Sequence, residues 1–307
     1  VFRDNKRYFA SDANDRVAKS FKTSIYNIRG LLENTVDNLD LYNYKDSNID
    51  ILEFIPNMDK VHIMAIFLGY IKTLVGTNCI ECIISLNKSI DGNLKNIIKD
   101  ACYVSDVHLL SIVDDGIGNA MNYGFQKILQ KQFAETSETI CFIDAGHSTI
   151  KTSLVKFADG KITHLDNVTD DTVSGNVVTL SLLNICMADI NYKYDINLNN
   201  YNKYKINLYN ACEKAKISLS INKSTTINLD LYINDRDISY SYTFDIELLN
   251  GLIDNWENNL HLLLTSLLNS NKLTVDDLTK VILTGGNVRL PKLRNILDTF
   301  FHHKTET

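Results

Sequence analysis

The sequence predicts an α/β protein in which helices pack on the faces of β-sheets. Apolar segments with helical spacing alternate along the chain with short apolar strands, which is the pattern that such proteins show. The length of 307 residues is enough to bury a large core. A polar stretch at residues 131–138 separates two series of elements, so we expect two lobes, residues 1–135 and 136–307.

The first series of elements runs from residue 61 to residue 130. Val61–Leu74 carries apolar residues three and four positions apart, as one face of a helix requires. Cys79–Leu86 is a short apolar run, which is typical of a buried strand. The same two patterns predict helix Ile90–Cys102, strand Val107–Val113 and helix Ile117–Gln130, with a loop containing two aspartates before the last helix.

The second series begins with an apolar strand and a hairpin. Thr139–Asp144 is followed by a tight turn, and Asp159-Gly160 favours a two-residue hairpin turn. Asn191–Asn210, rich in Asn, Tyr and Lys, is interpreted as a surface helix or loop. The remaining predicted elements are strands Thr149–Phe157, Lys161–Leu165, Thr226–Ile233, Ile238–Phe244 and Val281–Thr284, and helices Asn210–Leu219, Ile246–Ser270 and Leu290–Phe301.

Charge and hydropathy exclude two classes of partner. The net charge is −6 and no run of Lys and Arg is long enough to cover phosphates, so we expect no nucleic-acid partner. No apolar stretch approaches the roughly 18 residues that a membrane span needs, so we expect no membrane partner. Because the sequence begins with Val1, we expect the natural start, with any targeting signal, to lie upstream.

Six cysteines are spread over a long chain, whereas disulfide scaffolds are short and rich in cysteine. We therefore expect reduced thiols and a cytoplasmic location, with the lumen of the endoplasmic reticulum as the alternative. Cys79 and Cys82 have the spacing of half a zinc site, but no second pair of ligands follows at suitable spacing. Two buried thiols in a strand are the better interpretation.

Two turns have residues suited to binding a phosphorylated ligand. The strand ending at Asp144 is followed by Ala145-Gly146-His147-Ser148, which can present a carboxylate to a metal or water and N–H groups to a phosphate. Gly285-Gly286-Asn287 lies between a strand and a helix, where glycines let a flat ring or a phosphate approach the backbone. Ordinary turn chemistry is the competing interpretation of both segments.

Two further groupings have a chemical interpretation. Glu213, Lys216 and Ser220 are three and four residues apart on one predicted helix, where they form either an exposed ion pair or hydrogen-bonding groups for ligand hydroxyls. His147 next to Ser148 suggests a hydrolase, but neighbours on a strand face opposite ways and no G-x-S-x-G turn is present. We therefore reject a serine hydrolase.

In sequence order, these segments resemble the nucleotide-binding domain of the heat-shock protein seventy (DnaK-type) chaperones, which belong to the actin–hexokinase superfamily. Gly146-His147-Ser148 and Leu231–Ile238 are similar to the large heat-shock protein one-hundred-and-ten branch of that family. The resemblance implies an actin-like ATPase fold, with two lobes that each have a mixed sheet flanked by helices around a central nucleotide cleft. It covers nearly the whole chain and is carried by Leu110–Gly124, Ile143–Ser148, Ala211–Ser220 and Val281–Pro291.

That resemblance also implies a function and a set of contacts. It implies binding of ATP or ADP with Mg²⁺, a catalytic Asp144 that acts through a metal-bound water, and a second catalytic carboxylate at Asp115. It implies a co-chaperone that exchanges nucleotide on a DnaK-type partner and holds unfolded client polypeptides through a region that this sequence does not include. The implied nucleotide contacts are Gly146, His147, Ser148, Gly175, Glu213, Lys216, Ser220, Gly285, Gly286, Asn287 and Arg289.

Several residues depart from the family pattern where hydrolysis depends on them. Ile28 stands in place of the catalytic lysine, and an aliphatic side chain cannot stabilise charge on a transferring phosphoryl group. Asp115-Gly116 replaces Glu-Pro, Gly175 stands where two glycines are usual, and Ile217 replaces an arginine. We therefore expect weak or no ATP hydrolysis, which Ile28→Lys should raise. The alternatives are an active DnaK-type chaperone that hydrolyses ATP, and a nucleotide-free, ribosome-associated pseudo-chaperone.

Overall fold

The computed structural model describes residues 1–20, 23–25, 28, 32, 58–76, 80–86, 92–130 and 137–307. The chain divides into two compact units. The first comprises Val1–Val113 and Met187–Asn210, and the second comprises Asp114–Cys186 and Ala211–Thr307. The expected division into lobes between residues 135 and 136 stays a prediction.

The predicted α/β class is confirmed. The α-helices, numbered in chain order, are α1 (Ala10–Val17), α2 (Lys60–Val75), α3 (Gly92–Val104), α4 (Asp115–Leu129), α5 (Gly175–Tyr194), α6 (Asn202–Leu219), α7 (Ile246–Ile253), α8 (Trp256–Ser270) and α9 (Pro291–Phe300). The strands are β1 (Phe2–Arg3), β2 (Lys6–Arg7), β3 (Ile80–Leu86), β4 (Val107–Asp114), β5 (Glu138–Ala145), β6 (Ile150–Ala158), β7 (Lys161–Asp170), β8 (Ser224–Ile233), β9 (Arg236–Asp245), β10 (Lys280–Thr284) and β11 (Thr305–Glu306). Short 3₁₀ turns lie at Leu198–Asn200, Val275–Asp277 and Gly286–Arg289.

A five-stranded mixed sheet lies in the second unit, with the strand order β11-β10-β5-β6-β7. β10 runs parallel to β5 and to β11, whereas β6 is antiparallel to both β5 and β7. Helix α4 packs on this sheet through a cluster of buried apolar side chains. The cluster consists of Ala120, Ile140, Phe142, Val155 and Phe157. In the same unit, β8 and β9 form a separate antiparallel hairpin.

The first unit has a core between α2, α3 and the paired strands β3 and β4. The N-cap of helix α2 is Asp59, whose carboxylate accepts the His62 N–H at 2.9 Å. Its C-cap is Gly76, which adopts the left-handed conformation (φ 75°) that closes many helices. The buried side chains of this core are Leu32, Met64, Ala65, Leu68, Leu94, Ile98, Ala101, Cys102 and Val107.

Most predicted elements are confirmed, with differences at their ends. The hairpin turn at Asp159-Gly160 is confirmed, and both residues have positive φ as a type I′ turn requires. The predicted loop with two aspartates before α4 is wrong. Asp114 is the helix N-cap and accepts the Gly116 N–H at 2.9 Å, so Asp115 is already the first residue of α4.

The structure corrects the sequence analysis at three places around the longer helices. The sequence analysis missed α5 altogether. Asn191–Asn210 is only partly a surface segment, because it also contributes Ile196, Leu198 and Tyr209 to the buried interior. The predicted helix Ile246–Ser270 is interrupted at residues 254–255, where Asp and Asn stand, two residue types that compete with helical hydrogen bonding. It therefore forms α7 and α8.

The structure bears on two exclusions drawn from the sequence. Among the described helices, none combines the length and the apolar character that crossing a bilayer requires. Cys82 is half-buried and packs against the core of the first unit, as expected of a structural thiol. Cys79 lies outside the described residues.

Candidate functional site

Most of the predicted site residues meet at one end of the sheet in the second unit. Asp144, near the end of β5, pairs with Thr284, the last residue of β10. The turns that carry the predicted glycines follow these two strands. Gly285 has a φ of 88°, and a Cβ at this position would overlap the Ala145 carbonyl oxygen and Asp144 Oδ1. Only glycine therefore allows the turn after β10 to lie against Asp144.

Hydrogen bonds join the turn after β5 to helix α5 and to the turn after β10. The Gly175 N–H donates to the Gly146 carbonyl at 3.3 Å, and the Asn176 N–H donates to the His147 carbonyl at 2.8 Å. The side-chain amide of Asn287 also donates to the Gly146 carbonyl. Three segments that are distant in sequence are thus connected at two successive peptide carbonyls. We call this arrangement the carbonyl clasp.

The backbone N–H groups predicted to bind phosphate are used within the protein in this conformation. The Gly146 N–H donates to the Thr149 carbonyl at 2.9 Å, and the Gly175 N–H belongs to the carbonyl clasp. A phosphate that accepted from these two N–H groups would have to replace both internal hydrogen bonds. The phosphate contacts expected at Gly146, Gly175, His147 and Ser148 stay predictions.

Glu213 and Lys216 form a largely buried ion pair rather than an exposed one. Lys216 Nζ lies 2.8 Å from Glu213 Oε2, and the lysine side chain is only 5% exposed. The same ammonium donates to the Gly175 carbonyl at 3.0 Å, and Thr179 Oγ1 donates to Glu213 Oε2 at 2.5 Å. The pair therefore anchors the first turn of α5 to α6, in direct contact with the clasp.

The surroundings of this pair determine how Glu213 titrates. Burial alone would raise the pKa of Glu213, but the Lys216 ammonium, hydrogen bonds from Lys216 and Thr179, and the charge of His147 together hold it below its ordinary value of 4.5. Burial lowers the pKa of Lys216, and Glu213 opposes that shift. Glu213 is therefore a carboxylate at neutral pH.

We expect Glu213 to contribute to acid unfolding. Because its pKa is lower in the folded chain, its stabilising contribution is complete above pH 4.5 and is lost as the pH falls through the folded value. In Glu213→Gln, the free energy of unfolding should depend less on pH below that range than in wild type, as urea titrations at a series of pH values would measure. Glu257→Gln, which removes an exposed carboxylate, is the control. A Glu213→Gln profile parallel to that of wild type would contradict the expectation.

Asp144 lies among charged groups at the end of β5. Burial raises the pKa of Asp144, and the nearby Asp115 carboxylate raises it further. A hydrogen bond with Thr284 and the charge of Lys151 act in the opposite direction. Asp144 thus binds a proton more readily than an exposed aspartate does.

Lys151 is a functional candidate that the sequence analysis missed. It pairs with Asp144 across the antiparallel β5–β6 ladder, and its side chain is only 3% exposed. Its ammonium lies 2.6 Å from Asp114 Oδ2 and 2.7 Å from Asp115 Oδ1. The signal in the sequence is a lysine inside an otherwise apolar and small-residue strand, where every residue from 150 to 155 is buried.

A cavity of about 740 Å³ opens beside the turn after β10. Its lining includes Gly285, Arg289, Arg294 and Asp298. Arg294 is engaged with Asp298, with Nε 3.0 and 3.1 Å from the two carboxylate oxygens. Arg289 is exposed, and no ion pair joins it to another residue in the part of the chain that the structure describes. Its guanidinium is therefore available to a ligand that enters the cavity.

Two predicted residues have surroundings that differ from those expected. Ser220 lies just beyond α6, and its hydroxyl donates to the Ile217 carbonyl at 2.7 Å. Ile28 belongs to the first unit, where its half-buried side chain packs against the core. Ile28→Lys would place an ammonium against apolar side chains, so any gain in hydrolysis would be mixed with a loss of stability.

Comparison with known proteins adds independent findings. A family model described as Hsp70 protein matches residues 3–307. Heat shock 70 kDa protein 4 of Rattus norvegicus is 24% identical over 231 residues, which cover 74% of this chain and 27% of that protein. Heat shock 70-related protein 5 of Dictyostelium discoideum is 23% identical over 335 aligned positions, covering 99% of this chain and 63% of that protein. The 97 kDa heat shock protein of Mesocentrotus franciscanus is 24% identical over 230 residues, covering 74% and 26%.

The chain thus spans between 26% and 63% of the length of these relatives.

Proteins of the matched family bind ATP or ADP with Mg²⁺. The oxygen donors described around Asp144 do not fit a Mg²⁺ ion, because the carboxylates of Asp114 and Asp115 converge on Lys151 Nζ instead. Within the described residues, no three His, Cys, Asp or Glu side chains are placed to hold a metal ion. The water-mediated contact expected between Asp144 and Mg²⁺ stays a prediction.

Proposed function

The chain belongs to the Hsp70 family, and we propose that it is an adenine-nucleotide-binding co-chaperone domain with weak or no ATP hydrolysis. The cavity beside the turn after β10 is the observation that carries this proposal. Its lining includes Gly285, the exposed guanidinium of Arg289 and the start of helix α9, and the chain neighbour Gly286 faces open space. These are the features that a flat base attached to a phosphorylated sugar requires.

The glycine pair gives the nucleoside access to the backbone. A Cβ at Gly286 would meet no atom within 4 Å, so the space in front of this residue is open. Arg289 follows three residues later and presents a planar cation that can stack on an adenine ring. Glu213, with 29% of its side chain exposed, and Ser220 are the proposed partners of the ribose hydroxyls. Lys216 supports Glu213 from the buried side.

Three features support weak hydrolysis. Ile28 offers no charge to a transferring phosphoryl group and packs in an apolar core. Asp115, the proposed second catalytic carboxylate, has its Oδ1 oxygen engaged by the Lys151 ammonium at 2.7 Å, so this oxygen already has a partner within the protein. The N–H groups of Gly146 and Gly175 already have acceptors within the protein. The protein therefore offers few groups that could assist phosphoryl transfer, whereas the part of the site proposed for the nucleoside is open.

We expect Gly286→Val to abolish nucleotide binding without unfolding the chain. The branched side chain would extend into the open space where the base approaches, and its Cβ would meet no protein atom within 4 Å. ADP at about 100 times its Kd should stabilise the wild-type chain by about 2.7 kcal/mol, and it should not stabilise the variant. Thermal unfolding with and without ADP measures both quantities.

Gly251→Val is the matched control, because it makes the same change at another open position of the second unit, within α7. It should keep the full response to ADP. A wild-type chain that shows no stabilisation by millimolar ADP or ATP would favour the nucleotide-free pseudo-chaperone. An unchanged response in Gly286→Val would mean that the nucleotide does not occupy this cavity.

The co-chaperone role rests on the similarity of Gly146-His147-Ser148 and Leu231–Ile238 to the heat-shock protein one-hundred-and-ten branch. We expect the full-length protein to accelerate ADP release from a DnaK-type chaperone of the same organism, and to hold unfolded client polypeptides. Exchange requires contacts that differ between two states of the partner, and it needs no hydrolysis by the exchange factor itself. We place this activity in the cytoplasm.

Stopped-flow release of a fluorescent ADP analogue from the partner measures the exchange role. An unchanged release rate at saturating concentration would rule it out. Single-turnover hydrolysis of ATP by the wild-type chain separates the remaining alternative. A rate equal to that of an ordinary DnaK-type chaperone would identify an active chaperone and contradict the weak hydrolysis proposed here.

A further inference from the structure

A buried ammonium occupies the centre of the carboxylate cluster at the end of β5. Lys151 Nζ lies 2.6 Å from Asp114 Oδ2 and 2.7 Å from Asp115 Oδ1, and the lysine side chain is 3% exposed. Distances this short are those of charge-assisted hydrogen bonds. The ammonium is therefore held at a defined point by two oxygen atoms, as a bound cation would be.

The fold brings these groups together through two close approaches. Lys151 and Asp144 are directly opposite in the β5–β6 ladder, so their side chains leave the sheet on the same face. A Cβ at Gly116 would overlap Ser153 Oγ on β6, so the glycine lets the first turn of α4 lie directly on that strand. This contact brings Asp114 and Asp115 within reach of Lys151.

The cluster holds one ammonium and three carboxylates, so it retains an excess of negative charge. Such a set of oxygens would attract a divalent cation if it were open. Asp114, however, has both oxygens engaged, one with Lys151 and one with the Gly116 N–H at 2.9 Å. Mg²⁺ needs oxygen ligands at about 2.0–2.1 Å in octahedral geometry, and the lysine nitrogen occupies the point at which the available oxygens converge.

We propose that Lys151 is the resident cation of this site and makes nucleotide binding independent of divalent metal. Its ammonium supplies the positive charge that a metal would otherwise bring to the phosphate end of the nucleotide, and it repels a second cation from the same carboxylates. This inference rests on the proposed nucleotide binding. Because the Lys151 ammonium occupies the site without nucleotide as well, the inference also predicts that the nucleotide-free chain binds no divalent cation there.

Titration with Mn²⁺ tests that consequence in the absence of nucleotide. Electron paramagnetic resonance of free Mn²⁺ should detect no saturable binding by the wild-type chain up to about 1 mM Mn²⁺. The Kd of the wild-type chain for Mn²⁺ should therefore exceed about 1 mM. Lys151→Gln should gain a Mn²⁺ site, because Asp114 Oδ2 and Asp115 Oδ1 then lose the ammonium on which they converge. Lys151→Arg, which keeps the charge, and Lys156→Gln, which removes an exposed lysine of the same strand, should gain none. Saturable Mn²⁺ binding by wild type that Asp115→Asn abolishes would overturn the inference.

Titration with ADP in Mg²⁺ and in EDTA tests the consequence for nucleotide. The wild-type Kd should change by less than about threefold between the two conditions, whereas in Lys151→Gln EDTA should weaken binding by at least about tenfold. A wild-type Kd that rises about tenfold or more in EDTA would overturn the inference. If ADP binds in neither condition, the proposed function fails, and the Mn²⁺ titration of the wild-type chain still decides the role of Lys151.

Discussion

We expect Lys216→Met to lower the free energy of unfolding by about 3–5 kcal/mol, the range measured when one partner of a buried ion pair is removed. The substitution leaves the Glu213 carboxylate without its ammonium and removes one of the donors to the Gly175 carbonyl. Both groups lie where α5, α6 and the carbonyl clasp meet. Urea unfolding of the wild-type chain and the variant measures the difference.

Lys214→Met is the matched control, because Lys214 is an exposed lysine on the same helix. Its effect should stay within about 0.5 kcal/mol, as for most surface substitutions. Adding Glu213→Leu to Lys216→Met should recover part of the lost stability, since the unpaired carboxylate is then removed as well. Equal losses for Lys214→Met and Lys216→Met would show that the buried pair does not stabilise this region.

We expect Gly175→Ala to cost about 2–4 kcal/mol, combining the strain of an overfilled site with the loss of a buried hydrogen bond. A Cβ at this position would overlap the side-chain amide of Asn287, which is buried and donates to the Gly146 carbonyl. The amide cannot move without breaking the carbonyl clasp. Because the two residues act through one contact, the double variant Gly175→Ala with Asn287→Ala should cost less than the sum of the single variants.

Urea unfolding of the four proteins of this cycle measures the coupling. Gly251→Ala is the control, because a Cβ there meets no atom within 4 Å and alanine favours the helix in which it lies. It should leave stability unchanged or raise it. Additive effects of Gly175→Ala and Asn287→Ala would show that Asn287 does not limit the space at Gly175.

The elements that the sequence predicts best carry their own start and stop signals. Helix α2 was predicted at Val61–Leu74 and lies at Lys60–Val75, with an aspartate cap before it and a left-handed glycine after it. The two strands of the β8–β9 hairpin are predicted at Thr226–Ile233 and Ile238–Phe244, and the register of the hairpin is regular along its whole length. In both cases local sequence and tertiary packing favour the same structure.

Helix α5 was missed because its sequence lacks a polar face. Its 20 residues have little amphipathic character, and several are β-branched, a composition typical of strands. Buried residues nonetheless recur every fourth position at Val178, Leu182, Cys186 and Ile190, which is a helical spacing. The buried stripe is hidden in the sequence, because apolar residues also lie on the other sides of the helix.

The sequence predicts many of the residues of the candidate site, but not which of them contact one another. The spacing of Glu213 and Lys216 indicated that they could pair, yet burial of the pair depends on α5, which the sequence analysis missed. Lys151 meets its partners across 36 and 37 residues of sequence, a separation at which residue spacing carries no information about contact. The burial of the Glu213–Lys216 pair and the ion pairs of Lys151 could therefore be identified only from the folded structure.

Equilibrium titration of the wild-type chain with a fluorescent ADP analogue, followed by displacement with ADP, tests the central claim most directly. That claim is that the turn Gly285-Gly286-Asn287 and its cavity bind adenine nucleotide. We predict saturable binding of one analogue per chain, displacement by unlabelled ADP, and no saturable binding by Gly286→Val. Absence of saturable binding by wild type at millimolar analogue, or equal binding by Gly286→Val, would contradict it.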